Sequence, residues 1–567
     1  MIMELFVSAS APSHSHKPSL DRSLRQCWHR ILPLVLSLLI SACSDGSSDS
    51  TQQSVAVVEP PAVNDPPVAV LEPPAANDPP VAVVEPPAVI DPPAAVVEPP
   101  AVIDSPITVV EPPTVKDPPV AVDGPDYIEG QIIEALSAIE QPVANAAVTL
   151  LSNGATVQSD SEGRYRIELA DELPIAQELL ALAVSAEGYR PRELNVALNI
   201  ENSIELAAQN AYQYFPPVQL DDGIETRDLG DTNIDRTLIG QLMQKVVQQD
   251  ENLGYRQIHS LLIYKDGALI LEEYNIGNDD FIRFEDNIAR DRSRPEKQWT
   301  RTDKHYIASV NKALTATVTG IALAEYGLQV DDKISVLLHE KSIHFAEANK
   351  AALSIHHMLT MQLGFTWDEW SSNDLALLWK SDDFTEFLLS RDNAGPGSTW
   401  AFYSASPIML LRALDNAVDG GIRDWADTHF YSKLGITDYD WVSQPDGIPE
   451  GAARMHMRPR DMLKVGITYL DNGVWNNEQL IPVSWVENVS KVQVATFAGD
   501  YSYFFWHRQI NGVPYISADG DGGQYINIFP EQNMVIVMTQ GNYLEWPLYV
   551  NQADDIMGGY ILPALAD

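Results

Sequence analysis

Cysteine is scarce in this sequence, and its distribution excludes several kinds of site. Only two cysteines, Cys27 and Cys43, occur among the 567 residues, and both lie near the N-terminus. The long C-terminal part therefore has neither a disulfide nor a cysteine-based metal site. Its histidines form no His-Glu-x-x-His pair, since His344 follows His339 one residue too late for that motif. We expect no metal ion and no other cofactor.

Basic residues are also scarce. Lysine and arginine together number 36 against 79 acidic residues, which gives a net charge of −43. Nucleic-acid binding needs clustered positive charge, so this class of partner is excluded. The chain also lacks a phosphate loop, a dinucleotide-binding fingerprint and the Gly-x-Ser-x-Gly turn of α/β-hydrolases.

A chain of this length predicts several folded units, and its first segment has the features of an export signal. Ile31–Ile40 is apolar but too short for a stable transmembrane helix, and it lies between basic residues and a small-residue exit. Ile40–Cys43 resembles the bacterial lipobox. That resemblance implies a signal over residues 1–43, a lipid anchor on Cys43 and a place in the bacterial cell envelope, with Ser44 favouring the outer membrane. An ordinary signal peptide is the alternative.

A proline-rich linker follows over residues 44–125. From Val55 to Pro119 the chain repeats five times with a period of 13, as in VAVVEPPAVNDPP. Proline fixes φ and removes backbone donors, so we expect a disordered, extended stalk without a packed core. It would hold the folded part away from a membrane, although such a tract can also bind proline-recognition modules.

Residues 126–210 have the pattern of short strands separated by turns. Asn153-Gly154 is a hairpin dipeptide, and Arg164–Ile167 alternates between polar and apolar residues. These stretches, with the later Glu187-Gly188-Tyr189, resemble the carboxypeptidase regulatory-like modules. The resemblance implies a small all-β sandwich that acts as a spacer or a binding accessory.

The remaining part, residues 213–567, contains a candidate catalytic pair. Small and apolar residues dominate from Ser309 to Tyr326, which predicts a buried helix that Gly327 ends. Ser309 and Lys312 would lie on one face of its first turn. A serine hydroxyl must lose its proton to become nucleophilic, and a lysine whose pKa burial depresses can accept that proton.

Two further segments supply possible partners for this pair. Tyr403 follows a glycine-rich loop, and its phenol could relay a proton. The glycine-rich stretch Gly520–Gln524 precedes alternating residues that predict a strand, with a second strand turned back after Pro530. A strand edge beside Ser309 could donate a backbone N–H to an oxyanion hole, with the N–H of Ser309 as the other donor.

Together these stretches resemble the serine β-lactamase-like family, in the branch of class C β-lactamases, esterases and 6-aminohexanoate-dimer hydrolases. The resemblance implies an α/β fold with an antiparallel sheet flanked by helices and a mostly helical lobe. It makes Ser309 the acylated nucleophile, Lys312 the base, Tyr403 the proton relay and Asp521 the second oxyanion donor. Ala405 stands where the lactamases have asparagine, and Ala518-Asp519-Gly520 replaces their Lys-Thr-Gly.

Both replacements remove groups that hold a β-lactam, so we expect a hydrolase of an ester or a small amide. Gly522, Gly523, Gln524 and Trp367 are the candidate pocket residues, although core packing is an alternative for the tryptophan. The alternative function is a non-catalytic or D,D-peptidase-type protein, similar to penicillin-binding proteins, that acts on cell-wall peptides.

Overall fold

The structure is a computed structural model that describes residues 126–169, 179–249 and 254–565. The signal and lipid-anchor segment 1–43 and the linker 44–125 lie outside the described residues, so both stay predictions. Within the described ranges, no helix combines the length and apolar character that crossing a bilayer requires.

The first described segment consists of strands and turns. Three strands form one sheet in the order β4-β1-β7, and four form a second sheet in the order β3-β2-β5-β6. Apolar side chains from both sheets, such as Ile132 and Val148, share one buried cluster. The relationship of this segment to carboxypeptidase regulatory-like modules stays a prediction. The strands are β1 Tyr127–Glu134, β2 Ala147–Leu150, β3 Thr156–Gln158, β4 Arg164–Glu168, β5 Leu179–Ser185, β6 Arg192–Ala197 and β7 Glu201–Leu206.

Ion pairs join this segment to the larger domain that follows. Arg190 donates to Glu273 at 3.0 Å and to the side chain of Asn275 at 3.0 Å. Arg301 in turn donates to Glu193 at 2.6 Å. Because Arg190 is only 8% exposed, these partners are needed to offset the free-energy cost of burying its charge.

An eight-stranded sheet forms the centre of the larger domain, in the order β19-β20-β21-β22-β23-β24-β8-β9. All of its neighbouring strands are antiparallel. The strands, with short pairs between them, are β8 Ile258–Lys265, β9 Ala268–Tyr274, β10 Ile276–Gly277, β11 Phe281–Arg283, β12 Ala289–Asp291, β13 Lys297–Gln298, β14 His305–Tyr306, β15 Asp440–Trp441, β16 Met455–Met457, β17 Val474–Trp475, β18 Glu478–Gln479, β19 Val494–Thr496, β20 Gly499–Ser502, β21 Phe505–Ile510, β22 Val513–Gly520, β23 Gln524–Phe529 and β24 Met534–Gln540.

Turn chemistry explains how these strands connect. Asp266 and Gly267 have φ angles of 50° and 86°, which match the left-handed turn that a two-residue hairpin needs. They join β8 to β9 as the Asp-Gly dipeptide predicts. Pairing of β24 with β8, for example Val537 with Leu262, then brings the two ends of the domain together.

Helices cover both faces of the sheet, and further helices form a lobe beside it. The long helix α2 begins directly after Ser309 and ends at Gly327, whose φ is 67°, as the sequence predicts. The helices are α1 Arg236–Gln248, α2 Val310–Tyr326, α3 Ile334–Leu337, α4 Ala348–Ala351, α5 Ile355–Leu359, α6 Asp374–Trp379, α7 Phe384–Leu389, α8 Ala405–Asp415, α9 Ile422–Ala426, α10 Pro459–Leu470, α11 Val483–Val489, α12 Leu548–Asp554 and α13 Leu562–Ala564.

Strand alternation divides the apolar side chains between two cores. On β8, Leu262 faces a large core that includes α2, α8 and α10. Its neighbours Leu261 and Ile263 face a smaller core under α1 and the C-terminal helices. Helix α2 is buried along most of its length, because it lies between the sheet and the helical lobe. The first turn of this helix is therefore held from several sides.

Candidate active site

The turn before α2 presents Ser309 at a strained point of the backbone. Ala308 has a φ of 45°, which is unusual for a residue with a β-carbon. Such strain is stored most often at functional sites. Ser309 follows as the first residue of the helix turn and is half-buried. The positive end of the helix dipole therefore lies beside its hydroxyl.

Lys312 is hydrogen-bonded to Ser309, as the spacing of the two residues predicts. Its Nζ donates to Oγ of Ser309 at 2.7 Å and to the carbonyl of Ala452 at 3.2 Å. Only 2% of Lys312 is exposed. Burial lowers the pKa of its ammonium below the ordinary value, while the carboxylates of Glu369 and Glu450 act in the opposite direction. The amine can therefore lose its proton more readily than a surface lysine.

A tight turn from Glu450 to Arg454 holds the other side of this helix. The Glu450 carboxylate accepts the backbone N–H groups of Ala453 and Arg454, at 2.7 and 2.8 Å. The side-chain amide of Asn311 donates to the Glu450 carbonyl at 2.8 Å. Glu450 is fully buried, and that burial raises the pKa of its carboxyl. This turn fixes the carbonyl of Ala452, to which Lys312 donates.

Strand β22 ends directly against the serine turn. A β-carbon added to Gly520 would lie 2.5 Å from the carbonyl oxygen of Ile307, so only glycine permits this approach. Among the residues that the structure describes, the backbone N–H groups of Ser309 and Asp521 have no hydrogen-bond acceptor. Both residues line the same cavity. Two free donors therefore lie where an oxyanion hole would be needed.

Tyr403 does not lie beside the serine. Its hydroxyl donates to the carbonyl of Phe365 at 2.7 Å, and the side chain is 1% exposed. Burial raises the pKa of its phenol to about 12. The preceding residue, Phe402, lies beside Lys312 instead, with Nζ 5.1 Å from its ring centre. The structure thus brings together Ser309 and Lys312 but not Tyr403.

Glu369 is a site residue that the sequence did not reveal. It lies in the loop before α6, lines the same cavity as Ser309 and is 3% exposed. Ser404 donates to it twice, from its backbone N–H at 2.7 Å and from its hydroxyl at 2.6 Å. Trp367 Nε1 donates at 3.3 Å. Burial raises the pKa of Glu369, and the charge of Lys312 lowers it.

Ser309, Glu369 and Asp521 line a cavity of about 210 Å³. Its wall is mainly apolar and aromatic, and its polar groups cluster at the serine end. The aromatic and aliphatic lining includes Ile282, Phe284, Leu375, Phe402, Trp506, Leu544 and Trp546. The polar lining comprises Ser309, Glu369, Ser404, Arg508, Asp519, Asp521, Tyr525 and Tyr549.

The four predicted pocket residues are not among the residues that line this cavity. Gly522 and Gly523 are buried, and added β-carbons would meet Tyr543 and Gln540. Gln524 is fully buried and donates to the carbonyl of Gln540 at 2.6 Å. Trp367 is 9% exposed, and its Nε1 donates to the Glu369 carboxylate and to the carbonyl of Phe402. The turn at Gly522, Gly523 and Gln524 instead packs against the segment that carries Gln540 and Tyr543.

The carboxylates and the guanidinium around the cavity are paired or hydrogen-bonded. Arg508 binds Asp519, with Nε 2.9 Å from Oδ2. Asp521 accepts the backbone N–H of Leu544 at 2.7 Å and the hydroxyl of Tyr549 at 3.0 Å. Burial raises the pKa of Asp521. The end of β22 and the residue after it thus present the acidic groups of Asp519 and Asp521 to the cavity.

The described residues contain no group of three or more histidine, cysteine or acidic side chains that could hold a metal ion. A model of the β-lactamase family matches residues 245–549. The chain belongs to the β-lactamase family. The match includes Ser309, Lys312, Glu369 and the strands that surround the cavity. Members of this family are generally serine hydrolases, and some of their homologues are similar to penicillin-binding proteins.

Several solved structures are similar to this β-lactamase family member. A Bacillus anthracis protein assigned as a 6-aminohexanoate-dimer hydrolase is 17% identical, over 63% of this chain and 90% of its own, with a TM-score of 0.46. A penicillin-binding protein from Bacillus halodurans is 15% identical, over 57% and 100%, with a TM-score of 0.42. EstCE1, a hydrolase with promiscuous acyltransferase activity, is 17% identical, over 56% and 98%, with a TM-score of 0.44. No curated protein matches the chain.

Proposed function

We propose that this chain is a serine hydrolase that cleaves an ester or a small amide through an acyl-enzyme on Ser309. The observation that carries the proposal is the 2.7 Å hydrogen bond between Lys312 Nζ and Ser309 Oγ in the wall of a cavity. A buried lysine amine with a lowered pKa is a suitable base for a serine hydroxyl.

Acylation would begin when Lys312 takes the hydroxyl proton of Ser309 and Oγ forms a bond to the substrate carbonyl carbon. The backbone N–H groups of Ser309 and Asp521 would bind the negative oxygen of the tetrahedral intermediate. As the bond to the leaving group breaks, Lys312 would return the proton to that group. Water would then hydrolyse the acyl-enzyme and restore the Ser309 hydroxyl. Tyr403 has no part in this scheme, because its hydroxyl is bound to Phe365.

The charges around the cavity favour a substrate without a carboxylate. Among the described residues that line it, Glu369, Asp519 and Asp521 are acidic, and Arg508 is the one basic group besides the nearby Lys312. Asp519 already neutralises Arg508. A penicillin carries a carboxylate next to its scissile amide, so it would meet negative potential here. An uncharged ester or linear amide with an apolar acyl group fits the wall better.

Labelling with a fluorophosphonate probe tests the nucleophile. We expect the wild-type protein to be labelled and Ser309→Ala to remain unlabelled, because phosphonylation needs the activated Oγ. The matched control is Ser404→Ala, which removes a neighbouring cavity hydroxyl but leaves Ser309 in place. Equal labelling of wild type and Ser309→Ala would refute the assignment. No labelling of either would favour the alternative, a non-catalytic or D,D-peptidase-type protein.

A substrate panel tests the reaction class. We expect turnover of p-nitrophenyl esters or short linear amides and little or no turnover of nitrocefin. Rapid nitrocefin hydrolysis that disappears in Ser309→Ala would contradict the argument from charge. A D,D-peptidase would instead release D-alanine from a peptide that ends in D-Ala-D-Ala.

We also propose that the mature chain starts at a lipidated Cys43 in the envelope, most simply at the outer membrane. The support is the short apolar run before the lipobox-like Ile40–Cys43. Metabolic labelling with a palmitate analogue, compared between wild type and Cys43→Ala, tests this. Unlabelled wild-type protein, cleaved at another residue, would indicate an ordinary signal peptide.

A further inference from the structure

The cavity has two hydrogen-bonded pairs of side chains close to the scissile position. One is Ser309 with Lys312, and the other is Ser404 with Glu369. Both serines and Glu369 line the same cavity, and Phe402, two residues before Ser404, lies beside Lys312. The second pair has no role in the acylation steps given above.

Burial raises the pKa of Glu369, whereas its hydrogen bonds favour the carboxylate form. Its two oxygens accept from Ser404 N, Ser404 Oγ and Trp367 Nε1. Three donors aimed at one carboxyl group favour its charged form. Holding a charge in a group that is 3% exposed is costly unless a nearby positive charge offsets it.

Lys312 is the cation that faces this carboxylate. The charges of Lys312 and Glu369 act on each other across the site. The charge of Glu450 also acts on Lys312, and the charge of Glu369 acts on the Tyr501 phenol of β20. Within the described ranges, neither carboxylate comes within 4.0 Å of Lys312 Nζ. Lys312 therefore stays free to bind Ser309, while its charged form is stabilised from a distance.

We propose that Glu369 is a positioning residue of the hydrolase, which stabilises the protonated form of Lys312 while Ser309 is acylated. The proposal rests on the function proposed above. During acylation, Lys312 gains the proton of Ser309 and becomes an ammonium inside an apolar site. Glu369 offsets that charge without taking the proton, which then passes from Lys312 to the leaving group. Glu450 is less suited than Glu369 to offset the charge of Lys312, because its carboxylate already accepts the backbone N–H groups of Ala453 and Arg454.

The pH dependence of acylation separates this electrostatic role from a structural one. Because the negative charge of Glu369 raises the pKa of Lys312, Glu369→Gln should move the acid limb of the pH profile to lower pH. A charge within about 4–6 Å typically shifts a pKa by about 1–3 units, so we expect the acid limb to move by an amount that the pH profile resolves. The maximal rate should fall as well, since the ammonium formed during acylation loses its partner.

The experiment uses the full-length protein and the pre-steady-state burst of p-nitrophenol from a p-nitrophenyl ester. Wild type, Glu369→Gln, Glu369→Asp and Asp374→Asn are compared across pH. Asp374 is the matched control, because it is a buried carboxylate at the start of α6, five residues after Glu369, that binds Arg391 and the N–H of Asp368 and is not among the charges that act on Lys312. The acid limb of the Asp374→Asn profile should coincide with that of wild type. The acid limb of Glu369→Asp should lie much closer to that of wild type than the limb of Glu369→Gln does.

The outcomes are distinguishable from failure of the proposed function. A wild-type protein without a burst, and without labelling at Ser309, would overturn the hydrolase proposal itself. A wild-type burst with superimposable acid limbs in wild type and Glu369→Gln would overturn only the role of Glu369. A lowered rate with an unshifted limb would likewise assign Glu369 a structural task, as would an equal shift in Asp374→Asn.

Discussion

Replacement of Gly520 by alanine tests whether the end of β22 completes the active site. The added β-carbon would lie 2.5 Å from the carbonyl oxygen of Ile307 and 2.9 Å from Cβ of Gln524. Gly520 does not have a positive φ, so alanine can adopt its backbone conformation and the effect is purely steric. Both obstructing groups are held firmly, one in the serine turn and one in the neighbouring strand.

The size of the effect follows from these distances. Ordinary contact with a β-carbon begins at 3.4 Å. The strand and the serine turn must therefore separate by about 1 Å, a misplacement that can lower the rate by about 100-fold. Overpacking of this kind should also lower the free energy of unfolding by about 1–3 kcal/mol. The loss should be mainly in kcat, because the N–H of Asp521 moves away from the developing oxyanion.

The assay is steady-state hydrolysis of a p-nitrophenyl ester, together with urea denaturation followed by tryptophan fluorescence. Gly240→Ala is the control, because an added β-carbon meets nothing within 4 Å in helix α1. That change should raise stability by roughly 0.5–1 kcal/mol and leave kcat unchanged. A Gly520→Ala protein with wild-type kcat and stability would refute the close approach of β22 to the serine turn.

Two further predictions concern charge. The rate of acyl-enzyme formation should rise with pH as Lys312 loses its proton, because only the neutral amine accepts the Ser309 proton. Burial lowers the pKa of Lys312, so the inflection of this pH–rate profile should lie below the ordinary lysine pKa of 10.5. An inflection above 10.5 would contradict the role of Lys312 as base. Replacement of Arg190 by methionine should lower the free energy of unfolding by about 3–5 kcal/mol in urea denaturation, because it leaves the buried carboxylate of Glu273 without its positively charged partner. The exposed Arg164→Met should change stability little by comparison, so equal effects would show that the Arg190 ion pair does not stabilise the protein.

Local patterns in the sequence were sufficient to predict the contact between Ser309 and Lys312 and the hairpin of β8 and β9. Ser309 directly precedes helix α2 and Lys312 lies in its first turn, so the spacing of three residues alone places their side chains together. Asp266-Gly267 selects its hairpin through the φ angles that this dipeptide tolerates. In each case the interacting groups are neighbours along the chain.

Predictions of which side chains from segments distant in sequence would line the cavity were less successful. Tyr403 was chosen by its place in a motif, but the backbone entering α8 presents Phe402 and Ser404 to the cavity and turns Tyr403 toward Phe365. A shift of one residue before a helix is enough to exchange these side chains. Gly522, Gly523 and Gln524 do not line the cavity, although Asp521 before them and Tyr525 after them do.

Sequence by itself therefore determined the Ser309–Lys312 pair, because both residues belong to one turn of one helix. Only the tertiary structure decided what surrounds that pair. Glu369 lies 57 residues beyond Lys312 and Glu450 lies 138 residues beyond it, in loops without a distinguishing pattern. A Trp-Asp-Glu-Trp stretch at Trp367–Trp370 is a weak signal for a buried acid among aromatic residues, visible only once its position is known. Burial and opposing charge define their role, and both arise only when distant segments pack together.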